Sequence, residues 1–89
     1  MPTISLFYGI VIQMYWRDHN PPHIHALYQG HEALLTIEDA SVIAGKLPPT
    51  ARRIVADWIE RRRPELMANW ERARRYEALE MIAGADVDD

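Results

Sequence analysis

Three of the four histidines in this chain of 89 residues lie within seven positions of one another. They surround a double proline in the run Asp18-His19-Asn20-Pro21-Pro22-His23-Ile24-His25. Side chains two apart on a strand share a face, so His23 and His25 would project together, roughly 6–7 Å apart at Cα. A turn at the prolines can bring His19 back toward them. Three converging imidazoles predict a site for a divalent metal such as zinc, with a fourth position open to water.

Charged side chains accompany the histidines. Asp18 or Glu32 can complete the ligand set or act as an outer carboxylate that orients a ligating histidine. Arg17 and Lys46 are candidate contacts for an anion such as a phosphate, and Asp18 and Lys46 are also candidate contacts for a partner. Without a metal, the three histidines and Arg17 predict a catalytic site for general acid–base chemistry near neutral pH.

The same residues also fit a purely structural interpretation. A His-x-His pair on a strand is often half-buried and hydrogen-bonded without any metal, and Asp18 can cap the turn through its side chain. His31, beside Gly30, fits a solvated hairpin residue. The sequence leaves the metal, catalytic and structural interpretations open.

Residues 1–46 alternate between apolar and polar positions with the period of strands. The double proline makes residues 18–22 a turn, because proline cannot donate to a strand ladder. Gln29 and Gly30 form a short hairpin signal. The predicted strands are 4–17, 23–28, 31–37 and a short fourth at 41–44. Strands joined by tight turns predict an antiparallel β-meander of three to four strands.

The period changes to that of a helix after Lys46. Apolar residues at i, i+3, i+4, i+7 and i+8 predict an amphipathic helix over 49–62, which Pro64 ends while it begins a second helix over 64–76. Trp58 and Trp70 lie on the apolar stripes and are predicted core residues. Residues 79–89 are predicted as a short strand at 79–82 or a frayed acidic tail. The expected architecture is one α+β domain over 1–89, with a meander and, over 47–78, a helix pair on one of its faces.

Composition narrows the classes of function. No cysteine is present, which excludes disulfides, thiolate catalysis and cysteine-type zinc sites and suits a cytoplasmic location. No signal peptide or membrane span is expected. Residues 52–75 carry eight arginines and four acidic residues, whereas 76–89 carry five acidic residues. The net charge of −3 argues against avid, unassisted binding of nucleic acid, although nucleic acid stays a possible partner. The apolar fraction of 48% is more than one small core needs and favours a homodimer or a partner chain.

Several stretches together resemble a small prokaryotic family, that of the domain of unknown function DUF4160. The resemblance covers about residues 2 to 75, and its His-Asn-Pro-Pro-His-x-His core is specific. The segments that carry it are Met1-Pro2-Thr3-Ile4, Tyr8-Gly9-Ile10-Val11-Ile12, Asp18 to Ala26, Gly45-Lys46-Leu47-Pro48 and Asn69-Trp70.

The resemblance implies a gene context more than an activity. Members of this family are often encoded beside a second small domain, which implies a toxin–antitoxin-like pair with a small cognate protein as partner. Three hypotheses follow. The first is a toxin-like enzyme that acts on RNA or a nucleotide through the histidine cluster. The second is a non-catalytic module that binds a protein partner, and the third is a metal-binding domain in which the histidines hold the turn.

Overall fold

Five strands and one helix make up the fold in a computed structural model, which describes residues 2–87. The strands form one antiparallel sheet in sequence order, as a meander does. The α+β class and the meander are therefore confirmed, whereas the predicted three to four strands and two helices are wrong. The elements are β1 (Thr3–Phe7), β2 (Ile10–Gln13), β3 (His23–Tyr28), β4 (His31–Thr36), β5 (Val42–Gly45) and α1 (Pro49–Arg74).

The additional strand arises because the predicted strand 4–17 is a hairpin. Tyr8 and Gly9 have φ angles of 52° and 77°, the left-handed region that a two-residue type I′ turn requires at both positions. Phe7 therefore pairs with Ile10 across the turn. The sequence concealed this turn because only one of its two residues is a glycine and apolar residues continue through it.

The sheet has an inner face that is entirely apolar at β3 and β4. Ile24 pairs with Leu35 and Ala26 with Ala33, and all four are fully buried. The alternate residues His23 and His25 pair with Thr36 and Leu34 on the opposite face. The predicted period of two in residues 23–28 thus places the two histidines together, on the face opposite Ile24 and Ala26.

The single helix α1 covers the inner face. Pro64 leaves the carbonyl of Glu60 without its helical donor, and Arg62 takes φ −111° and ψ 16°, outside the helical region. The helix kinks at this point but does not end, because the stripe of buried residues from Ala51 to Ala73 extends through the kink. For this reason the predicted helices 49–62 and 64–76 are one element. Its charged surface is incompatible with a membrane-crossing helix, and no other helix is present in residues 2–87.

The segment after α1 runs along the free edge of β1. Ile82 donates its backbone N–H to Ile4 O at 2.8 Å, and Ser5 Oγ donates to Ile82 O at 2.8 Å. Asn69 is fully buried and bonds both backbone groups of Glu80, at 2.8 and 3.0 Å. The predicted strand 79–82 is wrong, because side chains rather than a strand ladder make most of these bonds. Of the predicted frayed tail, Asp88 and Asp89 lie outside the described residues.

Candidate metal centre

Asp18, His23 and His25 form a compact group at the end of β3. One carboxylate oxygen, Oδ2 of Asp18, lies 3.0 Å from Nε2 of His23 and 3.0 Å from Nε2 of His25. The three ligand atoms lie within 4.8 Å of one another. The histidines come together through strand periodicity, and the turn that contains the cis peptide bond Asn20–Pro21 brings Asp18 back to them.

The far nitrogen of each ring also faces an oxygen. Nδ1 of His23 lies 2.8 Å from Pro21 O, and Nδ1 of His25 lies 3.3 Å from Oε2 of Glu32. A carbonyl or carboxylate oxygen only accepts, so each Nδ1 carries the hydrogen that it donates. A neutral imidazole then has a lone pair at Nε2. In that tautomer both Nε2 lone pairs face the point where Asp18 Oδ2 lies, and a neutral imidazole nitrogen with a free lone pair is the atom that ligates a metal.

Aromatic rings hold the two imidazoles in place. Tyr15 stacks on His25 with ring centroids 4.2 Å apart and planes 21° apart. Trp70 of α1 packs against His23 at 5.5 Å, and the two imidazoles lie 5.1 Å apart. His23 and His25 are only 4% and 7% exposed. This packing leaves the rings little freedom, so the convergence of the Nε2 atoms is built into the fold.

Asp18 is an ionised carboxylate at neutral pH. Burial alone raises the pKa of this group, but the hydrogen bonds from His25 and from the His19 backbone N–H, together with the charge of His23 and His25, lower it further than burial raises it. The pKa of Asp18 therefore lies below its ordinary value. One negative charge faces the two imidazoles, which favours a cation or two protons between them.

A cavity of about 320 Å³ opens beside Asp18, lined by Arg17, Asp18, Asn20 and Arg74. Arg17 has φ 53°, and its backbone N–H donates to Ala73 O near the end of α1 at 3.3 Å. Its guanidinium lies 5.3 Å from the centre of the Tyr76 ring. The predicted anion contact Arg17 is thus held beside the histidine group, on the side of Asp18 that faces this cavity.

Two other predicted site residues lie outside the group. His19 is exposed, and its backbone N–H, rather than its ring, contacts Asp18 at 2.8 Å. Lys46 is exposed and lines a different cavity with His31. Glu32 contacts Nδ1 of His25 from outside the group, which is the role of an outer carboxylate. Asp18 lies inside the group, in the position of a member of the ligand set. The structure therefore assembles two of the three predicted histidines, with Asp18 in place of His19.

Sequence reasoning missed four residues around the site. Tyr15 continues the alternation of Gln13 onto the His25 face, a signal that the sequence did contain. Trp70 was assigned to the core alone. Asn20 and Arg74 gave no signal, because Arg74 reaches the site only through the path of α1 after its kink.

The family profile of a domain of unknown function, DUF4160, matches residues 9–71, more than half of the chain. The chain belongs to the DUF4160 family. The match contains Asp18, His23 and His25 and ends before Arg74. Neither the curated proteins nor the solved structures include a match to this DUF4160 chain. The proposed function therefore rests on the geometry of the site.

The ligand set of this DUF4160 domain fits a divalent metal. Two ligand atoms about 2.1 Å from one ion, at angles of about 90–110°, are about 3.0–3.4 Å apart. The distances of 3.0 Å from Asp18 Oδ2 to each Nε2 are hydrogen-bond distances that also lie at the short end of that range. Metal-bound histidines commonly donate Nδ1–H to a backbone carbonyl or a carboxylate, as His23 does to Pro21 O and His25 to Glu32.

Proposed function

We propose that this DUF4160 domain binds one divalent metal through Asp18, His23 and His25 and uses it in a toxin-like enzyme that acts on RNA or a nucleotide. One observation carries the proposal. Both Nε2 atoms converge on a single carboxylate oxygen while both Nδ1 atoms are held by outer acceptors. A structural histidine needs one hydrogen bond, whereas this arrangement orients two rings toward one point.

The donor set narrows the metal. Two imidazoles and one carboxylate are the protein ligands of hydrolytic zinc sites, and of non-haem iron sites with open positions. The absence of cysteine from the chain leaves no soft thiolate to select copper(I). Zinc is the first choice, and the remaining coordination positions are free for water and substrate.

The chemistry follows from the ligand count. When bound with open positions, such a metal lowers the pKa of a coordinated water and polarises a phosphoryl oxygen. The protein residues hold the geometry: Tyr15 and Trp70 fix the rings, and Asp18 balances charge. Asp18 is also the member of the triad that lines the open cavity, so a substrate would approach from that side.

The biological part of the proposal is a toxin of a prokaryotic toxin–antitoxin pair, neutralised by a small cognate protein and active in the cytoplasm. A metal-ligand set beside arginines supports an enzyme more than a passive module, because metal ions and arginines both stabilise the charge that develops on a phosphoryl group during its transfer. His19, exposed next to Asp18, is retained as a candidate fourth ligand or acid–base group.

Titration of chelator-treated protein with zinc tests the metal site. We expect one equivalent to bind to the wild type, and the affinity to fall at least about 100-fold in Asp18→Asn and in His23→Gln/His25→Gln, because these variants keep only two ligands and one ligand of the three. His31→Gln is the matched control, because His31 is an exposed histidine on β4. Isothermal titration calorimetry and melting temperature are measured on the same samples.

The contrary result is equally clear. A wild type that binds no metal, with a large loss of melting temperature in His23→Gln/His25→Gln, would assign the histidines a structural role. For the toxin part, induction of the wild type should arrest growth, and induction of Asp18→Asn at equal protein level should not. Growth arrest by both proteins would separate toxicity from the metal site.

A second candidate function, a protein-interaction module, rests on exposed apolar side chains at the β1–β2 hairpin. Leu6 and Tyr8 are 60% and 61% exposed. Leu6 pairs with Val11 on the face of the sheet opposite α1. If this surface binds a cognate protein or a second copy, Leu6→Glu should abolish co-purification or dimerisation without changing zinc affinity. Size-exclusion chromatography with light scattering measures the assembly directly.

A further inference from the structure

We infer that the cavity lined by Arg17, Asn20 and Arg74 beside Asp18 is a binding subsite for a terminal phosphate group, as on a nucleotide or at the end of an RNA strand. The inference rests on the proposed function in one respect, since it supplies the substrate contact of the same metal site. The Arg17–Arg74 subsite has its own basis in side chains that the metal group does not use.

The two arginines have free donors. Within residues 2–87, the side chains of Arg17 and Arg74 make no hydrogen bond and no ion pair with a carboxylate, whereas Arg63 and Arg75 are paired with Glu60 and Glu77. A guanidinium has five N–H donors in one plane, which match the oxygens of a phosphate. Two guanidiniums with free donors on the wall of one cavity can bind an anion, and this cavity, unlike the one lined by Arg52 and Arg53, also adjoins the metal-ligand group through Asp18.

Arg17 is held in position without using those donors. Its backbone takes a left-handed φ of 53° and is fixed to Ala73 O, and its guanidinium lies over the Tyr76 ring at 5.3 Å. Contact with an aromatic face occupies the π-surface of a guanidinium and leaves its N–H edge available. The strained backbone is consistent with a functional position, because such strain persists only where other contacts impose it.

A helix-capping role does not account for Arg74. Cations at a helix C-terminus often compensate the last carbonyls, but two of those of α1 already have backbone donors. Ala73 O accepts from the N–H groups of Arg17 and Tyr76, and Arg72 O accepts from Arg75 and Glu77. The Arg74 guanidinium is therefore available to a ligand.

The size and charge of the cavity select the ligand. A volume of about 320 Å³ is at the lower end of the about 300–1,000 Å³ typical of small-molecule sites. It accommodates a phosphate group together with part of the nucleotide or strand end that carries it. Asp18 lines the same cavity, so a phosphate held by Arg17 and Arg74 is adjacent to the metal triad. Each arginine and the metal add positive charge to offset that of Asp18.

The experiment compares the double variant Arg17→Gln/Arg74→Gln with the control Arg52→Gln/Arg53→Gln. The control arginines are exposed, also line one cavity, and make no side-chain hydrogen bond or ion pair within residues 2–87. Inorganic phosphate is titrated calorimetrically into chelator-treated and zinc-loaded protein. We expect phosphate affinity to fall at least about tenfold in the first variant and to stay within twofold in the control, with zinc affinity near wild type in both.

The results that would refute the phosphate subsite differ from the results that would refute the metal site. Equal phosphate affinity in the two double variants, with zinc bound normally, would overturn the subsite and leave the metal site intact. A wild type that binds no zinc, but whose phosphate affinity in chelator still depends on Arg17 and Arg74, would uphold the subsite alone. If the double variant does not fold by circular dichroism, Arg74→Gln alone serves, because Arg74 is exposed at the end of α1.

A comparison of three ligands identifies which kind of molecule carries the phosphate. AMP is compared with one short RNA carrying either a 5′-phosphate or a 5′-hydroxyl. We expect the 5′-phosphate to raise RNA affinity at least about fivefold in the wild type and not in the Arg17→Gln/Arg74→Gln variant. Tighter binding of AMP would point to a free nucleotide, and tighter binding of the phosphorylated RNA to an RNA end. Equal affinity for the 5′-phosphate and 5′-hydroxyl RNAs, together with no binding of AMP, would refute a terminal-phosphate subsite.

Discussion

Trp58 and Trp70 lie on the same buried stripe of α1, about three turns apart, and are equally hidden at 0% and 2% exposure. Their surroundings differ. Trp58 packs on Phe7 at 5.0 Å and donates its indole N–H to Ala83 O at 2.8 Å. Trp70 packs on the His23 ring at 5.5 Å, and its N–H has no acceptor within residues 2–87. The two tryptophans are therefore equally buried but have different roles.

The difference divides the molecule into two regions. The half of α1 before the kink packs on apolar side chains and bonds the C-terminal segment through Trp58, and Asn69 beyond the kink bonds the same segment at Glu80, so these contacts serve stability. The half after the kink packs against the Asp18-His23-His25 group, the candidate metal centre, and provides Arg74 to the adjacent cavity. A buried N–H without a partner costs free energy, and Trp70 keeps its place because a large flat ring fixes His23. Burial shows which residues belong to the core, and the residues that they contact show whether they serve stability or the site.

The largest expected effect comes from truncating the structural tryptophan. Trp58→Ala removes a fully buried ring and the bond to Ala83 O, and we expect a loss of about 3–5 kcal/mol in the free energy of unfolding. A domain with a total stability of roughly 5–15 kcal/mol would be largely unfolded or close to it. Urea denaturation monitored by circular dichroism measures the loss. A change below about 1 kcal/mol would show that the region around Phe7 is not the main core.

The sequence predicted these two regions unequally well. Period two in residues 23–28 and period 3.6 after Lys46 were sufficient for the β3 strand, for the shared face of His23 and His25, and for the buried stripe. These features are local. The Tyr8–Gly9 turn was missed because tyrosine rarely adopts positive φ, so the sequence carried no turn signal of the usual kind.

The composition of the site was only partly predictable for a different reason. His23 and His25 follow from strand periodicity, but the choice between Asp18 and His19 depends on how the proline turn closes. Both residues are adjacent in sequence, and only the turn geometry directs one carboxylate inward. Arg74 joins the site through tertiary packing, and Pro64 suggested two helices where the buried stripe keeps one. Contacts between distant elements are set by packing, which local periodicity does not encode.

We expect a smaller effect on the pH dependence of the unfolding free energy, which involves Asp18 in the region of the site. The pKa of Asp18 is lowered in the folded protein, so its ionised form stabilises the fold above the unfolded pKa of about 3.9. This contribution is lost as the pH falls through the lower folded pKa. In chelator, the difference in unfolding free energy between wild type and Asp18→Asn should shrink as the pH falls below about 4.

Asp39→Asn is the matched control for that titration. The pKa of Asp39 is also lowered, by hydrogen bonds from Thr36 and then Ser41, but the residue lies outside the metal triad. Its difference from wild type should shrink in the same pH window while zinc affinity stays unchanged. Zinc binding lost in both variants, or a difference for Asp18→Asn that grows at low pH, would contradict the assignment of Asp18.

The smallest effect tests the comparison of the tryptophans most directly. Trp58→Phe leaves Ala83 O without its donor, whereas Trp70→Phe breaks no hydrogen bond within residues 2–87 and keeps an aromatic ring against His23. We expect Trp58→Phe to be the less stable variant by about 1 kcal/mol. Zinc affinity should be unchanged in Trp58→Phe and lowered by at most about tenfold in Trp70→Phe, because only the latter loosens a ligand ring. Equal stability together with equal zinc affinity would mean that the two tryptophans have the same role, and that α1 does not divide into a structural half and a site-supporting half.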